Sequence, residues 1–239
     1  MAHLKPVPDP KPEPERQPDG KPSIAELERD ATVLRIYCVR MLAVAKSGHL
    51  DSSLSAADIV AALYYRVLRH DPSNPDWPER DRFVLSKGHA APIQYAALAE
   101  HGYFPAEDLM GLRQIGSHLQ SHPDMTRTPG IEVSTGSLGQ GLSMSVGICL
   151  ALRLDGLSET SQVFTLMSDG DCQEGESWEG AMAAAHFDIP SGPATTPGGR
   201  AAPFPAQLVV DLQVGPPASV DRIPRNAKRP PSRAIPQNQ

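Results

Sequence analysis

Val163-Phe-Thr-Leu-Met-Ser-Asp-Gly-Asp-Cys-Gln-Glu-Gly-Glu-Ser-Trp-Glu-Gly-Ala-Met-Ala-Ala-Ala-His186 is the stretch whose reading decides the fold. Val163 to Ser168 is an apolar run of strand length, Asp169-Gly170-Asp171 a tight acidic turn, and the segment from about Gly175 to His186 predicts a helix. In open α/β sheets ligands gather beyond the carboxyl ends of strands. A carboxylate at that place suits a hard divalent cation, which takes oxygen ligands. Asp-Gly turns are also common as plain connections, so the turn taken alone reads first as an acidic cap of the next helix.

Working outward, Ser134-Thr-Gly136-Ser137-Leu138-Gly139-Gln140-Gly141 is a glycine-rich loop that feeds a helix running to Leu154. It matches neither GxGxxG nor GxxxxGK[ST]. Its glycines serve either close approach of backbone to a ligand or tight packing of the helix on a sheet. Farther upstream, Arg82 to Ser86 predicts a strand, followed by Lys87-Gly88-His89 and an alanine-rich helix to Glu100. His89 is thereby expected on the same rim as Asp169.

Ser23 and Glu26 form a capping box for a first helix. Ile24, Leu27, Ala31, Leu34, Cys38, Met41, Leu42 and Ala45 recur on it at helical spacing, and Gly48 is expected to close it as a left-handed cap. His49 comes next, either a partner for the helix dipole or a site residue. Ser55 with Asp58 predicts the start of a second helix, broken at Asp71-Pro72. Pro105 opens a short helix to Leu112. The irregular run from Gly116 to Asp124 carries His118 and His122, which are either functional or solvated.

A chain of 239 residues suits one large domain or two small ones. Residues 1–22 are rich in Pro and charge, and residues 190–239 are rich in Pro, Gly and Arg. Neither end has enough apolar surface to offset chain entropy, so both are expected to be disordered, leaving 23–189 as the folded domain. A net charge of −6 argues against nucleic-acid binding, and Arg222, Arg225, Lys228, Arg229 and Arg233 read as a solvated basic tail. Cys38, Cys149 and Cys172 are widely separated, which suggests reduced thiols in a cytoplasmic protein. No apolar h-region or membrane-length run signals export or insertion.

Taken in order, Ser47-Gly48-His49, Leu85-Ser86-Lys87-Gly88-His89-Ala90, Ser121-His122-Pro123, Ser134 to Gly141, and Ser168-Asp169-Gly170-Asp171 with Gln173-Glu174-Gly175 and Trp178-Glu179 resemble the amino-terminal, diphosphate-binding half of transketolase. The resemblance spans about residues 23–187. It implies a thiamine-diphosphate-binding α/β fold, a parallel sheet with helices on both faces. It further implies a transketolase-like transferase of carbohydrate metabolism and the pentose phosphate route. Such an enzyme moves two-carbon ketol units between sugar phosphates with thiamine diphosphate and Mg²⁺ (or Ca²⁺). Residue by residue, Asp169 matches the metal-ligating aspartate and Gly170 the glycine whose backbone meets the diphosphate. Gly136, Ser137 and Leu138 match the loop that touches the cofactor. His49, His89 and His122 match histidines of the sugar site, and Glu174 matches a glutamate near the subunit interface, linked to proton relay between paired sites.

Three departures accompany the resemblance. The pyrimidine-binding domain is absent, so the expected partners are another copy of the chain, through self-association, and a carboxyl-terminal transketolase subunit. Ser168 stands where the family has glycine. Beyond Ile189 the family's strand, ending in aspartate and asparagines, gives way to Pro190-Ser-Gly-Pro, which suits no central strand. Leu208 to Asp211 is the candidate for that strand in displaced form, with no asparagine after it. The shift in composition at Pro190 points to a frameshift or truncation, or else to a divergent end. Two functions therefore stand: the amino-terminal subunit of a split transketolase, or an inactive fragment serving as an interaction module.

Overall fold

Two short apolar strands, β1 (Arg82–Leu85) and β2 (Val163–Ser168), are buried along their whole length. A parallel strand covered on both faces needs apolar side chains at consecutive positions, and these sequences supply them. The computed structural model describes residues 20–189 and the backbone of 206–211. Phe83, Leu85, Phe164 and Leu166 point to one layer, built from α1 (Ile24–Ala45), α3 (Ala57–Ala62) and α4 (Ala91–Glu100). Val84 and Val163 point to the other, built from α5 (Gln140–Leu154) and α6 (Gly175–His186) with Ile189. The fold is thus the expected parallel sheet with helices on both faces.

The described sheet has the order β1-β2-β3, all parallel, with Leu85 beside Leu166. The third strand, β3 (Ala206–Asp211), comes from beyond residue 189 and sets Asp211 beside Ser168. It takes up the Leu208–Asp211 segment singled out from sequence. The proline-rich ends otherwise lie outside the described residues, as do Asn226, Asn238, the basic tail and the junction after Pro190.

The capping box at Ser23 forms, with Glu26 N–H on Ser23 Oγ and Ser23 N–H on Glu26 Oε2. Ile24 departs from the expected apolar face and is 71% exposed, being in the first turn before α1 meets the core. Gly48 is not the cap. Lys46 takes the left-handed conformation (φ 52°) and bonds Leu42 O, while at Gly48 (φ 129°) a Cβ would lie 2.3 Å from Leu42 Cδ2. Nor does Ser55 cap a helix. It is instead the last residue of a short α2 (Leu50–Ser55), and its hydroxyl donates back to Ser52 O at 3.1 Å. α3 then runs into a π turn over Leu63–Val67.

Gly141 shows why the glycine loop ends as it does. A Cβ there would lie 2.5 Å from Ser86 Cβ and 2.6 Å from Ser86 Cα, so α5 packs directly on the end of β1. In an isolated helix Ala would improve on Gly by roughly 1 kcal/mol. Here Gly141→Ala is predicted to destabilise by about 1–3 kcal/mol through overpacking. Urea denaturation reads the sign, and a raised midpoint would refute the close-packing account.

Candidate functional site

The carboxyl ends of β1 and β2 open onto one rim, and a buried carboxylate joins the loops there. Asp171 has no exposed surface. Its Oδ1 accepts Ser86 O–H at 2.6 Å and Gly139 N–H at 2.9 Å, and its Oδ2 accepts the N–H and O–H of Ser168, each at 2.8 Å. The glycine loop is also tied to the strand by Thr135 O–H on Leu85 O at 2.7 Å. Gly88 allows a second close approach, since a Cβ there would lie 2.8 Å from Gly136 N and Thr135 O.

Three imidazoles share this rim. His49, His89 and His122 line one small cleft with Arg113 and Ser121, and the rings of His49 and His89 are 5.1 Å apart, edge to face. His49 sits just ahead of α2. The buried Lys87 places that helix, donating to Ser52 O at 3.0 Å and Ser55 Oγ at 3.1 Å. Ser52 Oγ in turn meets His89 Nε2 at 3.0 Å. The loop bearing His122 is held from the core by the Tyr95 hydroxyl, 3.1 Å from Gln120 O and 2.9 Å from His122 O. His118 lies apart, with Nε2 on Asp108 and its ring against Phe104.

Burial, reinforced by His49 and Lys87, holds His89 below the ordinary histidine range, and Asp171 pulls the other way. Burial followed by Arg113 and His49 lowers His122 likewise. Neutral imidazoles can both donate and accept, which suits handling hydroxyl protons.

The second half of the rim is the turn after β2. Asp169 is exposed there, and Gly170 lies against Leu138, where a Cβ would be 3.1 Å from Leu138 Cδ1. Gly136 lies against His122, with 3.2 Å to its ring carbons from such a Cβ. A side chain at Gly170 would press on Leu138 and one at Gly136 on His122, so bare backbone is kept at both places, which suits a group that approaches backbone closely. Among the described residues no three His, Cys, Asp or Glu groups are placed to hold a metal. One carboxylate nevertheless suits Mg²⁺, which is commonly held by one or two carboxylates together with phosphate oxygens. Glu174 is exposed at the start of α6, and a Cβ on Gly139 would meet its Cβ at 2.7 Å. Ser137 is exposed on the same loop.

Sequence reading missed Asp171, Lys87, Ser52 and Tyr95, all acting from beneath the rim. Paired serines at the two strand ends, Ser86 and Ser168, were the available signal for the first.

Residues 27–191 match the family described as transketolase, thiamine diphosphate binding domain. The chain is 49% identical over 159 residues to the 6-deoxy-6-sulfo-D-fructose transketolase subunit of a Clostridium species, covering 66% of this chain and 57% of that one. It is 39% identical over 168 residues to an apulose-4-phosphate transketolase subunit from Actinobacillus succinogenes, covering 70% and 60%. It therefore spans less than two thirds of either relative. A transketolase from Pichia stipitis, solved with sedoheptulose 7-phosphate, superposes with a TM-score of 0.65 at 36% identity, covering 69% of this chain and 25% of that one.

The lowered histidines fix a sign for pH dependence. The unfolded chain binds protons more readily at these positions, so their contribution to stability is intact above about pH 6.5 and is lost as pH falls through the lower folded values. Imidazole titration by NMR is expected to place His89 and His122 below about 6.5. His89→Gln is expected to lessen the fall in urea midpoint between about pH 7 and pH 5. Ordinary midpoints for both rings would contradict this account of partial burial and neighbouring positive groups.

Proposed function

The chain belongs to the transketolase family, and from that premise we propose that it is the diphosphate-binding subunit of a split transketolase, active with a separate carboxyl-terminal subunit. Its task is to move two-carbon ketol units between sugar phosphates in the cytoplasm, with residues 23–189 as the working domain. One observation carries this reading: the Asp169–Gly170 turn, the Gly136–Leu138 loop and three imidazoles meet on a single rim.

Asp169 would ligate Mg²⁺ (or Ca²⁺), and the backbone at Gly170, with Gly136, Ser137 and Leu138, would receive the diphosphate. Thiamine diphosphate, when bound, supplies the electron sink for carbon–carbon cleavage. The chain's own groups bind, orient and move protons. His89 is oriented by Ser52 and His122 by the loop that Tyr95 secures, so both rings meet sugar hydroxyls in a set direction. His49 closes the cluster edge-on to His89.

Partnership has its own support. Trp178 and Met182, one turn apart on α6, are 63% and 65% exposed and adjoin the end that carries Glu174. Apolar surface of this kind beside a site suits burial by another chain, including a second copy. Among the described residues no helix is long and apolar enough to cross a membrane. The Clostridium and Actinobacillus relatives act, by their names, on different sugars.

A second reading has one observation in its favour. After Asp211 the sequence continues Leu212-Gln213, so the asparagine that the resemblance implies as second metal ligand does not follow β3. On that reading the chain is an inactive interaction module.

Calorimetry with thiamine diphosphate and Mg²⁺, with the carboxyl-terminal half of a split relative supplied, separates the two. Metal-dependent heat is expected for the native chain and is expected to vanish in Asp169→Ala. His122→Ala is expected to keep cofactor binding while turnover falls about 10²-fold or more, the scale of a lost proton-transfer group. No heat from the native chain, with or without the partner, would instead carry the second reading.

A further inference from the structure

Asp171 spends a fully buried carboxylate on four donors that are all neutral: two serine hydroxyls and two backbone N–H groups. Enclosing a charge against neutral dipoles is costly, so a purely structural need would be met more easily by a neutral side chain. A carboxylate has one advantage at this position. Both of its oxygens only accept, so it can receive donors from opposite sides at once, whereas an amide would turn an NH₂ group against one set of them.

The donors come from three separate segments. Ser86 directly follows β1, three residues before His89, Gly139 directly follows the Gly136–Leu138 loop, and Ser168 directly precedes Asp169. On both sides the fit is close: Gly139 backs onto Glu174, and Ser177 O–H donates to Asp171 O at 2.5 Å. The carboxylate therefore fixes three distances together: loop to turn, turn to strand end, and strand end to loop.

We propose that Asp171 is a positioning residue for cofactor capture, setting the gap between the Gly136–Leu138 loop and the Asp169–Gly170 turn without touching the ligand itself. This rests on the diphosphate-site reading given above. It also places a negative charge beneath His89, whose other charged or titratable neighbours are His49, Lys87 and His122.

Asp171→Asn in the full chain, with the carboxyl-terminal subunit supplied, is the test. Thiamine diphosphate affinity at saturating Mg²⁺ is expected to fall about 10- to 100-fold, the scale of lost supporting contacts around a metal site. Two readouts need no cofactor: amide exchange at Gly139 is expected to quicken at least about tenfold, its hydrogen bond being lost, and the His89 titration midpoint is expected to move down. If the native chain captures no cofactor, the function reading fails, yet these two readouts still decide the clamp. A folded Asp171→Asn with native affinity, native Gly139 exchange and an unmoved His89 would overturn the proposal. Should that variant not fold, Ser86→Ala removes one donor only. It is expected to weaken affinity and quicken Gly139 exchange in the same direction, and native values for both in folded Ser86→Ala would equally overturn it.

Discussion

The covering of β2 on both faces is the constraint from which the site follows. A strand enclosed by two helical layers can carry almost nothing but apolar side chains, so polar chemistry is driven to its end, where the backbone leaves the ladder. β1 obeys the same rule beside it in parallel register, and its chain leaves the sheet after Leu85, beside Leu166, while β2 runs on to Ser168. Ser86 and Ser168 are the first polar residues past the two apolar runs. That these two reach a common carboxylate is a result of the register, with Leu85 and Leu166 side by side.

Above that level the chemistry is graded by depth. Asp171 and Lys87 are enclosed, His89 is half-buried, and His49, His122 and Asp169 are exposed. The enclosed charges hold segments in place, and the exposed groups are free to meet small molecules. A site built this way separates rigidity from reactivity: the groups that set geometry are withdrawn from solvent, and those suited to proton transfer remain within reach of it.

Much of this was legible in the sequence. The strand–turn–helix at Val163 to His186, the helix after the glycine loop and the capping box at Ser23 are local patterns, and local patterns survive folding. The convergence of His49, His89 and His122 came from motif order and could not come from spacing, because the residues lie on three segments that meet only through tertiary contacts such as Ser52 on His89 and Tyr95 on the His122 carbonyl. What escaped reading depended on tertiary contact. Gly48 resembles a helix cap by position, yet its glycine answers to its own positive φ of 129° beyond the helix, while Lys46 takes the left-handed turn that ends it. Asp171 resembles a solvated turn residue beside Asp169, and only the placement of Gly139 and Ser86 turns one carboxylate inward and leaves the other out. Ser55 carries the composition of a cap, but Lys87 and the preceding turn claim its hydroxyl.

Tyr95 carries a lesson about how such a protein tolerates change. Its ring is enclosed within α4, and its single oxygen secures the carbonyls around a residue at the opening. Judged by size and oiliness, Tyr95→Phe is among the mildest replacements available, and the interior would scarcely register it. The loop above would nevertheless lose its tether. Drift in the interior of this fold is thus audible at its mouth, and inspecting only the residues that face the solvent would miss where it began.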